Sequence, residues 1–176
     1  MLIFSASRST IDCLLPVDHE MTGGSLNFRE ALIIGFGDKR MINLLIVENS
    51  PVFAEALVRI LQRQIDLHVV KVVDTAEKAL EAIPDLPLDL VLVDTLLPQM
   101  SGIELVQTLY LRWPKLPCLI VSGDLSSYSV RRSIQAGARG YVIKDRASSI
   151  GKAIRRVLDG RFYCSTELQA FLPWQN

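Results

Sequence analysis

The sequence predicts an α/β fold, a doubly wound parallel sheet of five strands with helices on both faces. Between residues 41 and 162, short apolar runs alternate with amphipathic stretches about five times, at spacings that suit βαβ units. Three of the runs are nearly continuous in apolar residues, as parallel strands covered on both faces must be. Turn formers and helix-opening pairs such as Ser50-Pro51 separate the runs, because Ser caps free amides and proline at the first helical position loses no useful donor.

In chain order, strands are predicted at residues 43–47, 68–73, 88–93, 118–121 and 140–143, with helices at 51–64, 75–83, 103–112, 127–136 and 149–158. Right-handed crossovers wind five such units into a sheet of flavodoxin-like strand order. In that arrangement the chemistry lies beyond the carboxyl ends of the strands, where the strand order reverses.

Residues 1–40 carry a soft break at Thr22-Gly23-Gly24-Ser25 and no functional motif, so they read as an extension, disordered or accessory, ahead of a domain at 41–162. Residues 163–176 read as a C-terminal tail too short for a helix-turn-helix, so no output domain and no direct DNA binding are expected. No apolar run approaches the ~20 residues that span a bilayer, and the start lacks the pattern of a secretory signal, which predicts a cytoplasmic chain with no membrane partner. Cys13, Cys118 and Cys164 have no metal-like spacing and read as buried or incidental thiols. Nineteen basic and nineteen acidic residues cancel, which argues against a nucleic-acid binder. The C-terminal part is nonetheless basic, with nine Lys or Arg against three acids from Ser126 onward. That excess fits either a solvated helical face or a docking face for a second copy or an output protein.

The predicted strand ends deliver Glu48 and Asn49, Asp94, Ser122, and Lys144 to one rim. One such carboxylate alone reads as a cap. Convergence from several strands reads as phosphoryl-transfer chemistry, which needs an in-line nucleophile with positive charge and donors around three equatorial oxygens. Asp94 offers the carboxylate; Glu48, Asn49 and Asp94 offer oxygen ligands to a hard divalent ion such as Mg²⁺; Ser122 offers a hydroxyl and Lys144 a mobile charge.

The segments Leu44-Leu45-Ile46-Val47-Glu48-Asn49, Leu90-Val91-Leu92-Val93-Asp94, Leu97-Pro98-Gln99-Met100-Ser101-Gly102, Val121-Ser122 and Gly137-Ala138-Arg139-Gly140-Tyr141-Val142-Ile143-Lys144 together resemble the response-regulator receiver (CheY-like) family. Within it, the chain is most similar to receivers of LuxR/NarL-type regulators. The resemblance implies a two-component phosphoacceptor that takes a phosphoryl group on Asp94 from a sensor histidine kinase or phosphotransfer protein. It implies Mg²⁺ held by Glu48, Asn49, Asp94 and the Leu96 main-chain carbonyl, catalytic roles for Ser122 and Lys144, and Tyr141 as an aromatic switch that swings inward as Ser122 moves. Such a domain is no enzyme beyond its own phosphorylation and dephosphorylation. Two departures stand out: Asn49 brings no negative charge to the acidic-pair position, and Asp145 follows Lys144 where many receivers have proline.

Two rivals remain. A phosphatase with an aspartyl-phosphate intermediate needs a second acid two residues after the nucleophile, where Leu96 stands. A receiver-shaped module that signals without phosphate is the alternative that Asn49 supports.

Overall fold

The computed structural model describes residues 40–172, so the expectations for residues 1–39 and 173–176 lie outside the described residues. Strands β1 (Ile42–Val47), β2 (Leu67–Val73), β3 (Leu90–Val93), β4 (Cys118–Ser122) and β5 (Gly140–Ile143) alternate with helices α1 (Pro51–Gln62), α2 (Ala76–Ala82), α3 (Gly102–Arg112), α4 (Ser127–Gln135) and α5 (Ile150–Leu158). All strand pairs are parallel, in the order β2-β1-β3-β4-β5. The order reverses between β1 and β3, which places the switch point between Glu48 and Asp94.

The apolar continuity of β1, β3 and β4 follows from two cores. Leu45, Val47, Val91, Val93 and Ile120 face α2, α3 and α4, while Leu44, Ile46, Leu90, Leu92 and Val121 face α1 and α5. Helix starts are set locally. Ser50 accepts the Phe53 amide, Thr75 the Lys78 amide, and Ser101 with Glu104 forms a capping box. Helix α2 ends earlier than predicted, passing into a 3₁₀ turn at Ile83–Asp85 because Pro84 lacks the amide an α-helix needs.

The sheet differs from the five strands predicted. A sixth, β6 (Tyr163–Cys164), pairs in parallel with β5. A 3₁₀ segment, Thr166–Phe171, follows and buries Leu168 against α4 and the sheet; Leu172 beyond it is also buried. The segment called a tail therefore closes one side of the domain, satisfying the edge of β5 that would otherwise present unpaired amides and carbonyls. Two strand residues are too few to give a periodic signal.

Candidate functional site

Strand β1 ends at Val47, and Glu48 follows it into a buried position fixed by the start of α1. Glu48 Oε1 accepts the Ser50 amide at 2.9 Å, while the Ser50 hydroxyl caps the same helix. Strand β3 delivers Asp94, 4% exposed, whose amide donates to the Val47 carbonyl of β1 at 2.9 Å. Strand β5 delivers Lys144 as its first following residue. The Lys144 ammonium lies 2.6 Å from Glu48 Oε2 and 2.9 Å from Asp94 Oδ2, bridging the two carboxylates across the switch point. It also sits 4.4 Å above the centroid of the Phe53 ring, a cation–π contact from α1.

Burial would pull the Lys144 pKa down, yet hydrogen bonds to Glu48 and Asp94 and their charges outweigh it and hold the ammonium above its ordinary range. Asp94 Oδ1 is buried with no hydrogen-bond partner. A buried carboxylate oxygen in that condition is costly unless something else binds it. Among the described residues no group of three acids, histidines or cysteines could hold a metal. The donors present are the Glu48 and Asp94 carboxylates with the exposed Asn49 amide beside them, an all-oxygen set that fits a hard cation such as Mg²⁺, which keeps several waters and needs few protein ligands.

Ser122 at the end of β4 is fully buried, and its hydroxyl pairs with that of Thr95 at 2.5 Å and accepts the Asp124 amide at 3.1 Å. Tyr141 is fully buried, with its ring inside the sheet-α4 core and its hydroxyl donating to the Asp124 carbonyl at 2.7 Å. Burial pushes its phenol pKa up to about 12. A buried Tyr hydroxyl needs such a partner, and here the partner lies in the loop that also carries the Ser122 contact.

This arrangement joins a buried acid with one unpartnered oxygen, a bridging ammonium and a buried hydroxyl at one rim. Residues 44–155 match the response regulator receiver domain. The chain belongs to the response-regulator receiver family. It is 33% identical over 122 residues to the DNA-binding transcriptional activator DevR/DosR of Mycobacterium tuberculosis, covering 69% of this chain and 56% of that one. It is 39% identical over 140 residues to a protein-glutamate methylesterase/protein-glutamine glutaminase of Syntrophus aciditrophicus, covering 77% and 40%. A LuxR-family two-component response regulator from Aurantimonas superposes with TM-score 0.71 at 25% identity, over 74% of this chain and 94% of that one. The chain spans only about half the length of such curated relatives.

Of the receiver residues expected from the sequence, Glu48, Asp94 and Lys144 meet directly, and Ser122 lies beside them through Thr95. Asn49 is exposed at the rim, and Leu96 turns its side chain outward, 67% exposed. The peptide after Lys144 is trans, as are all others among the described residues. Thr95, Phe53 and the Asp124 carbonyl were not singled out from the sequence. Thr95 directly follows Asp94 and could have been noticed; the other two are tertiary contacts with no local signature.

Several of the basic C-terminal residues are paired, Arg131 among them, which donates to the Phe171 carbonyl at 3.4 Å. Arg155 donates to Asp66 and Gln64, Arg156 to the Phe162 carbonyl, Arg146 to Glu167 and Arg161 to Asp159. Arg132, Arg139 and Lys152 are exposed.

Proposed function

We propose that Asp94 is the phosphoacceptor of this receiver, supplied by a sensor histidine kinase or a phosphotransfer protein. The observation that carries the reading is the buried Asp94 carboxylate with one oxygen unpartnered and the other held by Lys144, opposite Glu48. An Asp94 oxygen attacks phosphorus, the bond from phosphorus to the donor's imidazole nitrogen breaks, and the acyl phosphate stays on Asp94 while the imidazole leaves. Lys144 turns from Glu48 towards the new phosphoryl oxygens, and the Ser122 hydroxyl donates a hydrogen bond to one of them.

Glu48, Asn49, Asp94 and the Leu96 carbonyl would hold Mg²⁺, which supplies charge neutralisation to the phosphoryl oxygens when bound. Once Ser122 leaves Thr95 for the phosphoryl group, the Asp124 loop loses one of its anchors, and the Tyr141 hydroxyl on the Asp124 carbonyl reports that change at α4. The chain then acts by conformational change on a second copy or an output protein, through the face of its last helices. It catalyses nothing beyond its own phosphorylation and dephosphorylation. The cytoplasm, where a kinase supplies the phosphoryl group, is its expected compartment; no described helix is long and apolar enough to cross a membrane.

Incubation with Mg²⁺ and acetyl phosphate should add one acid-stable, base-labile phosphoryl group seen by intact mass, and Asp94→Asn should abolish it. If no donor leaves a phosphoryl group and beryllofluoride with Mg²⁺ changes no amide resonance, the chain is a phosphate-independent interaction module instead, the reading that the uncharged Asn49 favours.

A further inference from the structure

Seven residues separate Asp94 from the start of α3 at Gly102, and this loop carries the Leu96 carbonyl. Its backbone is shaped against ordinary preference. Gln99 sits at φ 62°, a left-handed conformation that a residue with a β-carbon adopts at a cost. Something must hold the loop there. At its near end the Gly102 amide donates to the Thr95 carbonyl at 3.1 Å, and Leu97 and Met100 pack on the core. The Ser101 amide donates to Glu104 Oε2 at 2.9 Å in the capping box of α3, and a further hold comes from α2. Glu77, in the first turn of α2, accepts the Met100 amide through Oε1 at 3.2 Å.

Glu77 is half-buried, and its other oxygen, Oε2, is buried with no partner. A carboxylate placed so that half of its acceptor capacity is wasted is unfavourable for stability alone. Its first-turn position at a helix start recovers part of that cost through the exposed amides there. The contact to Met100 is the only hydrogen bond its side chain makes among the described residues.

We propose that Glu77 is a positioning residue for the phosphoacceptor site: it clamps the loop after Asp94 through the Met100 amide and so sets the placement of the Leu96 carbonyl. The metal part of this assignment rests on the reading of Asp94 as the phosphoacceptor with Mg²⁺ beside it. Residues that orient a metal's ligands typically change affinity by about 10-fold or more when removed. Glu77 therefore acts on metal affinity rather than on the bond-forming step.

The test compares the full chain with Glu77→Ala and Glu77→Gln. In metal-free protein, the Met100 amide should exchange its hydrogen several-fold faster in Glu77→Ala than in the wild type. Titrated with Mg²⁺ and followed by amide resonances, Glu77→Ala should bind about 10-fold more weakly. Its phosphorylation by acetyl phosphate should be slow at low Mg²⁺ and recover at saturating Mg²⁺. Glu77→Gln keeps a carbonyl oxygen for the Met100 amide and should restore both exchange and affinity. If Glu77→Ala does not fold, the Gln variant decides alone, and impaired Mg²⁺ binding there overturns the proposal. It is also overturned by unchanged Met100 exchange in Glu77→Ala, by unchanged Mg²⁺ affinity despite faster exchange, or by a Gln variant as impaired as Ala. Were the wild type to take neither Mg²⁺ nor a phosphoryl group, the phosphoacceptor reading would fail, and the Met100 exchange rates would still decide whether Glu77 holds the loop.

Discussion

Gly102 lies so close to the main chain of Asp94 that a β-carbon on it would stand 1.8 Å from the Asp94 carbonyl oxygen. The neighbour in the way is backbone, which cannot swing aside as a side chain would. Gly102→Ala should therefore cost about 1–3 kcal/mol or more, the usual range for forced overpacking, and should shift the strand end that carries the carboxylate. Urea unfolding and phosphoryl labelling measure the two effects. Wild-type stability with normal labelling would show that the loop gives way freely.

Leu168 is 1% exposed against α4 and the sheet. Truncating a leucine buried this fully costs about 2–5 kcal/mol, so Leu168→Ala should lower the unfolding midpoint as a core substitution does. A shift under ~0.5 kcal/mol, the scale of an ordinary surface change, would mean that the segment after Tyr163 is only loosely attached.

Arg155 donates to both carboxylate oxygens of Asp66, at 2.9 and 2.6 Å, and Asp66 is nearly buried. Arg155→Glu would set two carboxylates against each other and should destabilise the fold by about 2 kcal/mol, the scale of a lost hydrogen bond to a charged group. Lys152→Glu, on the exposed side of α5, should leave stability within ~0.5 kcal/mol. Docking through the basic face is therefore tested at Lys152 and Arg132 rather than at Arg155. Unchanged association of the Lys152→Glu, Arg132→Glu double variant by ultracentrifugation, with and without beryllofluoride, would remove that face as the partner surface.

The strands and most helix limits were legible because each is written in a local pattern: the apolar run of β3, the Ser50-Pro51 opening of α1. The strand-end residues were legible for the same reason, since each directly follows a run. What escaped was non-local. That Arg155 reaches Asp66, eighty-nine positions earlier, is decided by where α5 crosses the end of α1. β6 owes its existence to the open edge of β5 rather than to its own two residues. The burial of Tyr141 depends on the Asp124 carbonyl being within 2.7 Å of its hydroxyl, which no spacing encodes.

Lys144 gives a pH signature with a definite sign. Its folded-state pKa lies above the ordinary 10.5 because pairing with Glu48 and Asp94 overcomes the opposing effect of burial. The stability it contributes is thus fully present below 10.5 and is lost as pH rises through the higher folded value. The difference in unfolding free energy between the wild type and Lys144→Gln should stay level from neutral pH to about pH 10 and shrink beyond it. A difference that shrinks already between pH 7 and 9 would mean that the bridge seen here is not the one in solution.

Lys144 and Mg²⁺ would draw on the same carboxylates, and that competition makes Asn49 informative. The ammonium lies 2.6 Å from Glu48 and 2.9 Å from Asp94, so a divalent ion must win those oxygens with only a neutral amide at the third position. Asn49→Asp adds a negative charge at that position. Two unit charges ~4 Å apart gain about 1 kcal/mol even in water, and a divalent ion about twice that, so Mg²⁺ affinity should rise about tenfold or somewhat more. Lys144, freed from Glu48 at lower Mg²⁺, becomes available to the incoming phosphoryl oxygens. The Mg²⁺ concentration that half-saturates phosphorylation of Asp94 by acetyl phosphate should accordingly fall about tenfold, with little change in the rate at saturation. A half-saturation point that is unmoved, or that rises because Lys144 swings to the new carboxylate, would show that the rim at residue 49 takes no part in holding the ion.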